Sequence, residues 1–296
     1  MIKNLPNIRG EYRFNQKLIN WFDVGGTAEV IFRPADIDDL GYFFQNQPSE
    51  LPINIIGNAS NIIIKDAGIA GITIKLGKEF SNILHYQENG KNLIKVGAGN
   101  LCLNAALYCQ KFGFTSLEFL SGIPGSIGGA VAMNAGCYGY EVSDVLRQLT
   151  AIDYLGNLHY FNNIDCKFIY RKNQLIQNEN LIVVEAIFAV EKCDPAIVNK
   201  NIKELQFKRE ESQPIRAKTG GSTFKNPNGY KAWQLIDEAG CRGMTNGDAQ
   251  ISVKHCNFMI NNNKATAKQL IDLGNEVRSR VLAKTGINLE WEIKII

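Results

Sequence analysis

The chain has 296 residues, of which 45% are hydrophobic and 21% charged, and a formal charge of +3. That length fits two domains, each able to bury a core, and the small charge is spread along the chain rather than gathered in a tail, so nucleic acid is not an expected partner. Seven cysteines form an odd set without a C-x-x-C pair, which makes reduced thiols in a cytosol the simplest reading and leaves no metal site to compose with the three histidines.

The first third reads as short strands separated by turns: Ala28 to Phe32, Ile53 to Ile56, Asn61 to Lys65, Gly71 to Leu76 and Leu93 to Val96, with a helix near Asp36 to Gln45. Met1 to Trp21 lacks the continuous apolar core of a secretory signal. A second helix is expected to start at Asn100 as N-cap and to stop before Gly113. After a glycine-rich stretch from Ser121 to Gly139 comes a hairpin, Leu149–Tyr154 and Leu158–Phe161, with Gly156-Asn157 as a two-residue turn. Leu181 to Val190 supplies a further strand. Beyond Asp194-Pro195 the pattern changes to a polar helix ending before Pro214, and the main boundary is placed there. In that helix Lys208-Arg209 is followed by Glu210-Glu211, which reads as a solvated face. Two more helices follow. One carries Ala232, Leu235, Ile236 and Ala239 on one face and closes at Gly240; the other opens with a Thr266-x-x-Gln269 capping box and closes at Gly286. The last element is a strand, Leu289 to Ile296. No stretch reaches the ~18 apolar residues of a membrane span. The pattern is α+β.

No dinucleotide fingerprint of the Rossmann kind is present: Gly97-x-Gly99 meets Cys102 where a third glycine would stand, and there is no phosphate-binding P-loop. Gly57-Asn58-Ala59-Ser60-Asn61 breaks two apolar runs. It is either an ordinary hairpin loop or a place where backbone N–H groups approach a diphosphate. The stretch Ser121-Gly122-Ile123-Pro124-Gly125-Ser126-Ile127-Gly128-Gly129-Ala130, continuing to Gly136, would weaken any regular element it occupied, so it either packs tightly or lies against a planar ring system. Gly220-Gly221-Ser222-Thr223-Phe224-Lys225-Asn226-Pro227 presents a serine hydroxyl after two glycines, as a simple turn or as a reactive group, without the pattern of a serine hydrolase. Arg171 after Tyr170, and Glu292 between Trp291 and Ile293, are charges beside apolar residues, structural or functional. His255 shares a polar segment that could line a pocket, whereas His85 and His159 read as surface residues.

Together the motifs G-N-A-S-N, S-G-I-P-G-S-I-G-G-A, M-N-A-G, Y-R-K-N, G-S-T-F-K-N-P and L-E-W-E-I, from residue 57 to 293, resemble those of the UDP-N-acetylenolpyruvoylglucosamine reductases. The resemblance implies a two-subdomain FAD-binding module of the vanillyl-alcohol oxidase type over residues 1–195, with subdomains of about 1–75 and 76–195. An α+β domain for the UDP-sugar would follow over residues 196–296, its last strand returning to the active site. It implies noncovalent FAD with Gly57 to Asn61 at the pyrophosphate and Ser121 to Ala130 near the isoalloxazine, and NADPH as hydride donor. By motif position Arg171, Ser222 and Glu292 match the family's catalytic residues, and Tyr170, Lys225, Asn226 and His255 are expected to bind substrate. The implied reaction reduces UDP-N-acetylglucosamine enolpyruvate to UDP-N-acetylmuramate for peptidoglycan precursors, in the cytoplasm. The chain looks like the shorter type, without a tyrosine-bearing loop. It departs from the usual pattern at Asn58-Ala59 and at Trp233.

The chemistry suits these residue types. Hydride addition at the methylene carbon of an enolpyruvyl ether leaves negative charge delocalised into the adjacent carboxylate, which a guanidinium fork such as that of Arg171 would stabilise. A positioned hydroxyl such as Ser222 could protonate so strong a base. An ionised Glu292 would oppose the enolate, so it is expected to be protonated or to orient a donor. The hydride must come from a cofactor. The rivals are another flavin oxidoreductase of this fold, acting on an alcohol or hydroxy acid and often holding its flavin through a histidine, and a non-enzymatic sugar-nucleotide binder. No histidine stands in the first flavin segment, and all three catalytic positions are filled.

Overall fold

A computed structural model describes residue 2, residues 4–48 and residues 51–296; Met1 and Lys3 of the amino-terminal stretch lie outside the described residues. The chain divides into two compact units. The first comprises Met1–Phe14, Glu29–Asn58 and Gly71–Phe207, and the second Asn15–Ala28, Ala59–Ala70 and Lys208–Ile296. The division after Phe207 falls inside the helix Pro195–Ser212, twelve residues beyond the boundary expected at 195, and two amino-terminal segments belong to the second unit.

Unit 1 has two cores. One gathers Val30, Phe32, Leu40, Phe43, Ile72 and Ile74 beneath a sheet ordered Glu11–Lys17, Thr27–Arg33, Ile69–Ile74, Ile53–Ile55. The helix Ile37–Asn46 packs its Leu40, Phe43 and Phe44 into this core, and the Asp36 carboxylate caps its first turn by accepting from Asp39 N–H. The second core surrounds the long strand Ile182–Lys192, which pairs antiparallel with Leu146–Ile152 on one side and Lys91–Gly97 on the other. Its near-continuous burial explains its apolar sequence.

Several expected elements change on inspection. The second helix is Cys102–Phe112 with Leu101 as N-cap; Asn100 instead donates to Ser81 O and accepts from Asn104. Its end is as expected, with Gly113 left-handed at φ +71°. The hairpin pairs Ile152 with Leu158, so its loop is Asp153–Asn157 rather than two residues. Asp153 Oδ1 accepts from Leu155 and Asn157 N–H, and this Asx-type bonding replaces the Gly-Asn turn. His159 Nε2 lies 2.8 Å from Asp153 Oδ2, and His85 packs on Phe114, so neither ring is a bare surface group.

Unit 2 is built on one core of Phe22, Ile63, Phe224, Ile236, Met259, Leu270, Val277 and Ile293 among others. A three-stranded antiparallel sheet, Thr245–Asn246, Ala249–Ile251 and Met259–Asn261, stands with the helices Ala232–Glu238 and Ala267–Thr285. The Thr266–Gln269 capping box forms with both bonds, and Gly286 closes the helix in the left-handed region. The expected strands Asn61–Lys65 and Leu289–Ile296 shrink to Ile62–Ile63 and Lys294–Ile295, which pair parallel with each other. The ladder is carried by Lys294 N–H on Asn61 O, Ile296 N–H on Ile63 O and Lys65 N–H on Ile296 O, whereas residues 290–292 bond to the 223–225 segment and so leave the strand short. Among the described residues no helix is long and apolar enough to cross a membrane.

Candidate active site

The expected site residues fall in both units. Gly57-Asn58, the Ser121–Ala130 segment, Tyr170 and Arg171 belong to unit 1; Ala59-Ser60-Asn61, Ser222, Lys225, Asn226, His255 and Glu292 belong to unit 2.

In unit 1 the two expected flavin segments meet. Asn58 Nδ2 donates to Pro124 O at 2.8 Å. A Cβ on Gly57 would stand 2.2 Å from Ser126 Oγ, so glycine is required for this approach. Residues 125–128 are held from behind like an added strand: Cys102 N–H donates to Gly125 O, Ile127 N–H to Asn100 O and Gly128 N–H to Ala98 O. Tight packing accounts for part of the glycine content, since a Cβ on Gly122 would meet Cys137 Sγ at 2.8 Å and one on Gly128 would meet Ala98 Cβ at 3.0 Å. Gly57 and Gly129 are different. Both are exposed, and they flank the Ser126 hydroxyl, which caps the Ile127–Ala132 helix by accepting from Gly129 N–H. Bare backbone therefore faces outward where these segments converge. Nearby in sequence, the buried Ser121 Oγ has no hydrogen-bond partner among the described residues. Two exposed glycines and a buried hydroxyl without a partner among the described residues fit a flavin dinucleotide, whose phosphates and ring edge accept from such groups.

Tyr170 and Arg171 form the turn between the paired segments Phe168–Ile169 and Lys172–Asn173. Arg171 Nη2 donates to Gly136 O at 3.0 Å, and its guanidinium lies 5.0 Å from the Tyr170 ring centroid, a cation–π contact that orients the planar fork.

In unit 2 Ser222 to Lys225 runs as an extended segment between two others. On one side Ser222 is bridged to Phe258, and the Asn257 side chain imitates a strand by accepting from Phe224 N–H at 2.9 Å and donating to Phe224 O at 2.8 Å. On the other, Thr223 O accepts from Glu292 N–H at 2.9 Å, and Lys225 N–H donates to Glu290 O. Thr223 is buried, its hydroxyl accepting from Met259 N–H, which anchors the segment. Ser222 and Glu292 are thus brought together on neighbouring segments. Asn61 joins them by donating from Nδ2 to Glu292 O at 3.0 Å. The other acid of the motif, Glu290, is exposed and paired with Lys225 Nζ at 3.2 Å. Asn226 Oδ1 accepts from Ala232 N–H and so caps the next helix. His255 is half-buried, edge-on to Phe258 and 6.5 Å from Trp233. Burial, aided by Arg242, holds its imidazole below the ordinary value, which favours the uncharged ring, and Nδ1 accepts from Asn257 N–H.

Three supports escape a reading by motif alone. Asn257 has a signal in its place beside His255-Cys256, but its role depends on Phe224, thirty-three residues away. Gly274 lies in the middle of the Ala267–Thr285 helix because the Trp291 indole occupies the space of a Cβ. Asp66 accepts from Ala267 and Lys268 N–H, both at 2.9 Å, and no local pattern links it to a helix two hundred residues on.

The family model "FAD binding domain" matches residues 28–162, and "UDP-N-acetylenolpyruvoylglucosamine reductase, C-terminal domain" matches residues 213–296. A UDP-N-acetylenolpyruvoylglucosamine reductase of Rickettsia bellii (strain RML369-C) is 50% identical over 297 residues, covering 99% of this chain and 96% of that protein. This chain belongs to the UDP-N-acetylenolpyruvoylglucosamine reductase family. The crystal structure of the Thermus caldophilus UDP-N-acetylenolpyruvylglucosamine reductase is similar over 98% of this chain and 99% of that one, with TM-score 0.80 and 31% identity. A solvent-stable cholesterol oxidase covers 64% of this chain, and this chain 39% of it, at TM-score 0.50 and 15% identity, a likeness of fold alone. The α+β fold expected for a reductase of this family, a flavin module followed by a second domain, is the fold observed.

Proposed function

We propose that this chain reduces the enolpyruvyl ether of UDP-N-acetylglucosamine to UDP-N-acetylmuramate with noncovalent FAD and NADPH, supplying peptidoglycan precursors in the cytoplasm. The observation that carries the reading is the pairing of Ser222–Lys225 with residues 290–292, which holds a half-buried serine beside a half-buried glutamate. In this reading residues 1–195 bind the flavin, through Gly57–Asn61 and Ser121–Ala130, and residues 196–296 bind the UDP-sugar. Lys225, Asn226, His255 and Tyr170 are assigned to the substrate.

The chemistry that bound FAD and NADPH supply is a hydride for the methylene carbon of the enolpyruvyl group. Negative charge then builds on the neighbouring carbon and in the carboxylate attached to it. Arg171 is assigned to that carboxylate, because a guanidinium already fixed by Gly136 O and Tyr170 needs little reorganisation to stabilise growing charge. Ser222 is assigned to deliver the proton to carbon from its Oγ. Glu292 holds or orients the donor, and its segment is fixed by Thr223 O and Asn61. Glu290 is exposed and paired with Lys225, which agrees with Glu292 as the acid of the site.

Ser222→Ala tests the assignment by separating two half-reactions in stopped-flow absorbance. NADPH should bleach the flavin band at close to the wild-type rate, while reoxidation by the enolpyruvyl substrate should slow about 10²–10⁴-fold. Slow bleaching with normal reoxidation would move Ser222 to cofactor binding, and a protein that holds no flavin would end the reductase reading.

A further inference from the structure

The Tyr170 ring orients the guanidinium within the turn, but nothing in a two-residue turn fixes the turn itself. Phe168 pairs with Asn173 and Ile169 with Lys172, leaving Tyr170 and Arg171 as the whole turn. Arg171 occupies the second central position with φ +57°, where turns of this sense favour glycine or asparagine because a Cβ is strained there. Something outside the turn must hold it.

Two buried amides do so from opposite directions. Asn134, fully buried and itself left-handed at φ +45°, donates from Nδ2 to Ile169 O at 3.2 Å and to Glu141 Oε1 at 2.8 Å, and accepts at Oδ1 from Ser143 N–H at 3.0 Å. Its orientation is dictated by these partners, because two acceptors face the nitrogen and one donor faces the oxygen. Asn173, also fully buried, donates from Nδ2 to Val131 O at 3.4 Å and accepts from Ile176 N–H at 3.2 Å. The segment 131–136 therefore grips the hairpin through Asn134, the hairpin grips the segment through Asn173, and Arg171 Nη2 completes the set on Gly136 O.

We propose that Asn134 and Asn173 are positioning residues for Arg171: they clamp the strained turn to segment 131–136 so that the guanidinium is fixed before substrate arrives. This rests on the assignment of Arg171 to the substrate carboxylate. Neither amide is given contact with the reacting atoms; they act through the turn.

Asn134→Asp tests it with the same shape and the same tolerance of positive φ, but with lone pairs where two N–H groups faced Ile169 O and Glu141. Reoxidation of the reduced enzyme by substrate should slow about 10–100-fold, as a small misplacement of a catalytic group does. Flavin bleaching by NADPH should stay at the wild-type value, UDP-N-acetylmuramate affinity should fall far less than the reoxidation rate because the charge that Arg171 stabilises is largest in the transition state, and amide hydrogen exchange across residues 168–173 of the flavin-free protein should accelerate. In an Arg171→Ala background the same substitution should add almost no further loss, because its target is gone. Should N134D fail to fold, N173A carries the same expectations. Wild-type reoxidation in both variants beside a slow R171A, or a full and independent loss from N134D on top of R171A, would overturn the clamp. A fast R171A would instead remove the assignment of Arg171 itself, and the hydrogen-exchange arm would still report whether the amides hold the turn.

Discussion

Gly274→Ala should destabilise the protein although it improves the helix. Gly274 is buried in the Ala267–Thr285 helix, and alanine there gains about 1 kcal/mol of intrinsic propensity. An added Cβ would lie 2.1 Å from Trp291 Cη2, 2.5 Å from Cζ2 and 3.1 Å from Cζ3. Carbon atoms rest at about 3.5–4.0 Å, so the indole would have to retreat by well over an ångström. Trp291 is not free to do so, being packed 5.1 Å from Phe224 and bridged to it. Overpacking typically costs about 1–3 kcal/mol, and three ring atoms in conflict argue for the upper end, so the net loss should be about 2 kcal/mol after the gain in propensity. Urea unfolding measures it. Trp291→Phe removes the conflicting outer ring atoms, so in that background Gly274→Ala should become neutral or stabilising, and the cycle should show a coupling of about 2–3 kcal/mol. Because Trp291 precedes Glu292, the single variant should also lose turnover, and the double variant should regain part of it. A G274A protein as stable as wild type would refute the packing argument.

Arg171→Gly should unfold at higher urea than Arg171→Ala by about 0.5–1 kcal/mol, since both lose the guanidinium but only glycine releases the strain of φ +57°; equal stabilities would mean that the turn is unstrained. Asp66→Ala leaves two first-turn N–H groups of a nineteen-residue helix without their acceptor and should cost about 1–2 kcal/mol in the same assay. For Asp153, burial raises the pKa, but hydrogen bonds from His159, Asn157 and Leu155 outweigh it and bring the carboxyl down to about 2. A carboxyl lowered on folding contributes stability above its unfolded value and loses it as pH falls through the folded one. The advantage of wild type over Asp153→Asn should therefore shrink between about pH 4 and pH 2, and a difference constant across that window would contradict the assignment.

The features legible in the sequence are those whose partners are near. Thr266 and Gln269 are three residues apart, and their capping box forms as read; Gly113 and Gly286 end their helices in the left-handed region. Asn100 is a good N-cap by type, yet its amide donates to Ser81 O and accepts from the Asn104 side chain, and the helix takes Leu101 as its N-cap instead. The Gly156-Asn157 turn yielded to Asp153, whose carboxylate bonds two backbone N–H groups further along. In the site, motif order pointed to Ser222 and Glu292, and the structure pairs their segments. What motif order does not convey is support. Asn257 acts on Phe224, Gly274 on Trp291 and Asp66 on Ala267 through space rather than along the chain.

The order of synthesis matters for this architecture. Asn61 and Glu292, joined by a hydrogen bond, are 231 residues apart, and Ile62–Ile63 has its strand partner at Lys294–Ile295. At translation rates of about 5–20 residues per second, the earlier segment emerges roughly 10–50 s before its mate. During that interval Ile63, which ends fully buried, has no permanent cover, and the edge beside it is open to mispairing or to a chaperone. An excised fragment of residues 213–296 would meet the complementary difficulty, lacking both the strand at 62–63 and the cap supplied by Asp66. Residues 59–70 added as a separate peptide should restore the strand and the cap, while Phe22 and Val24 of the same core would still have to come from Asn15–Ala28.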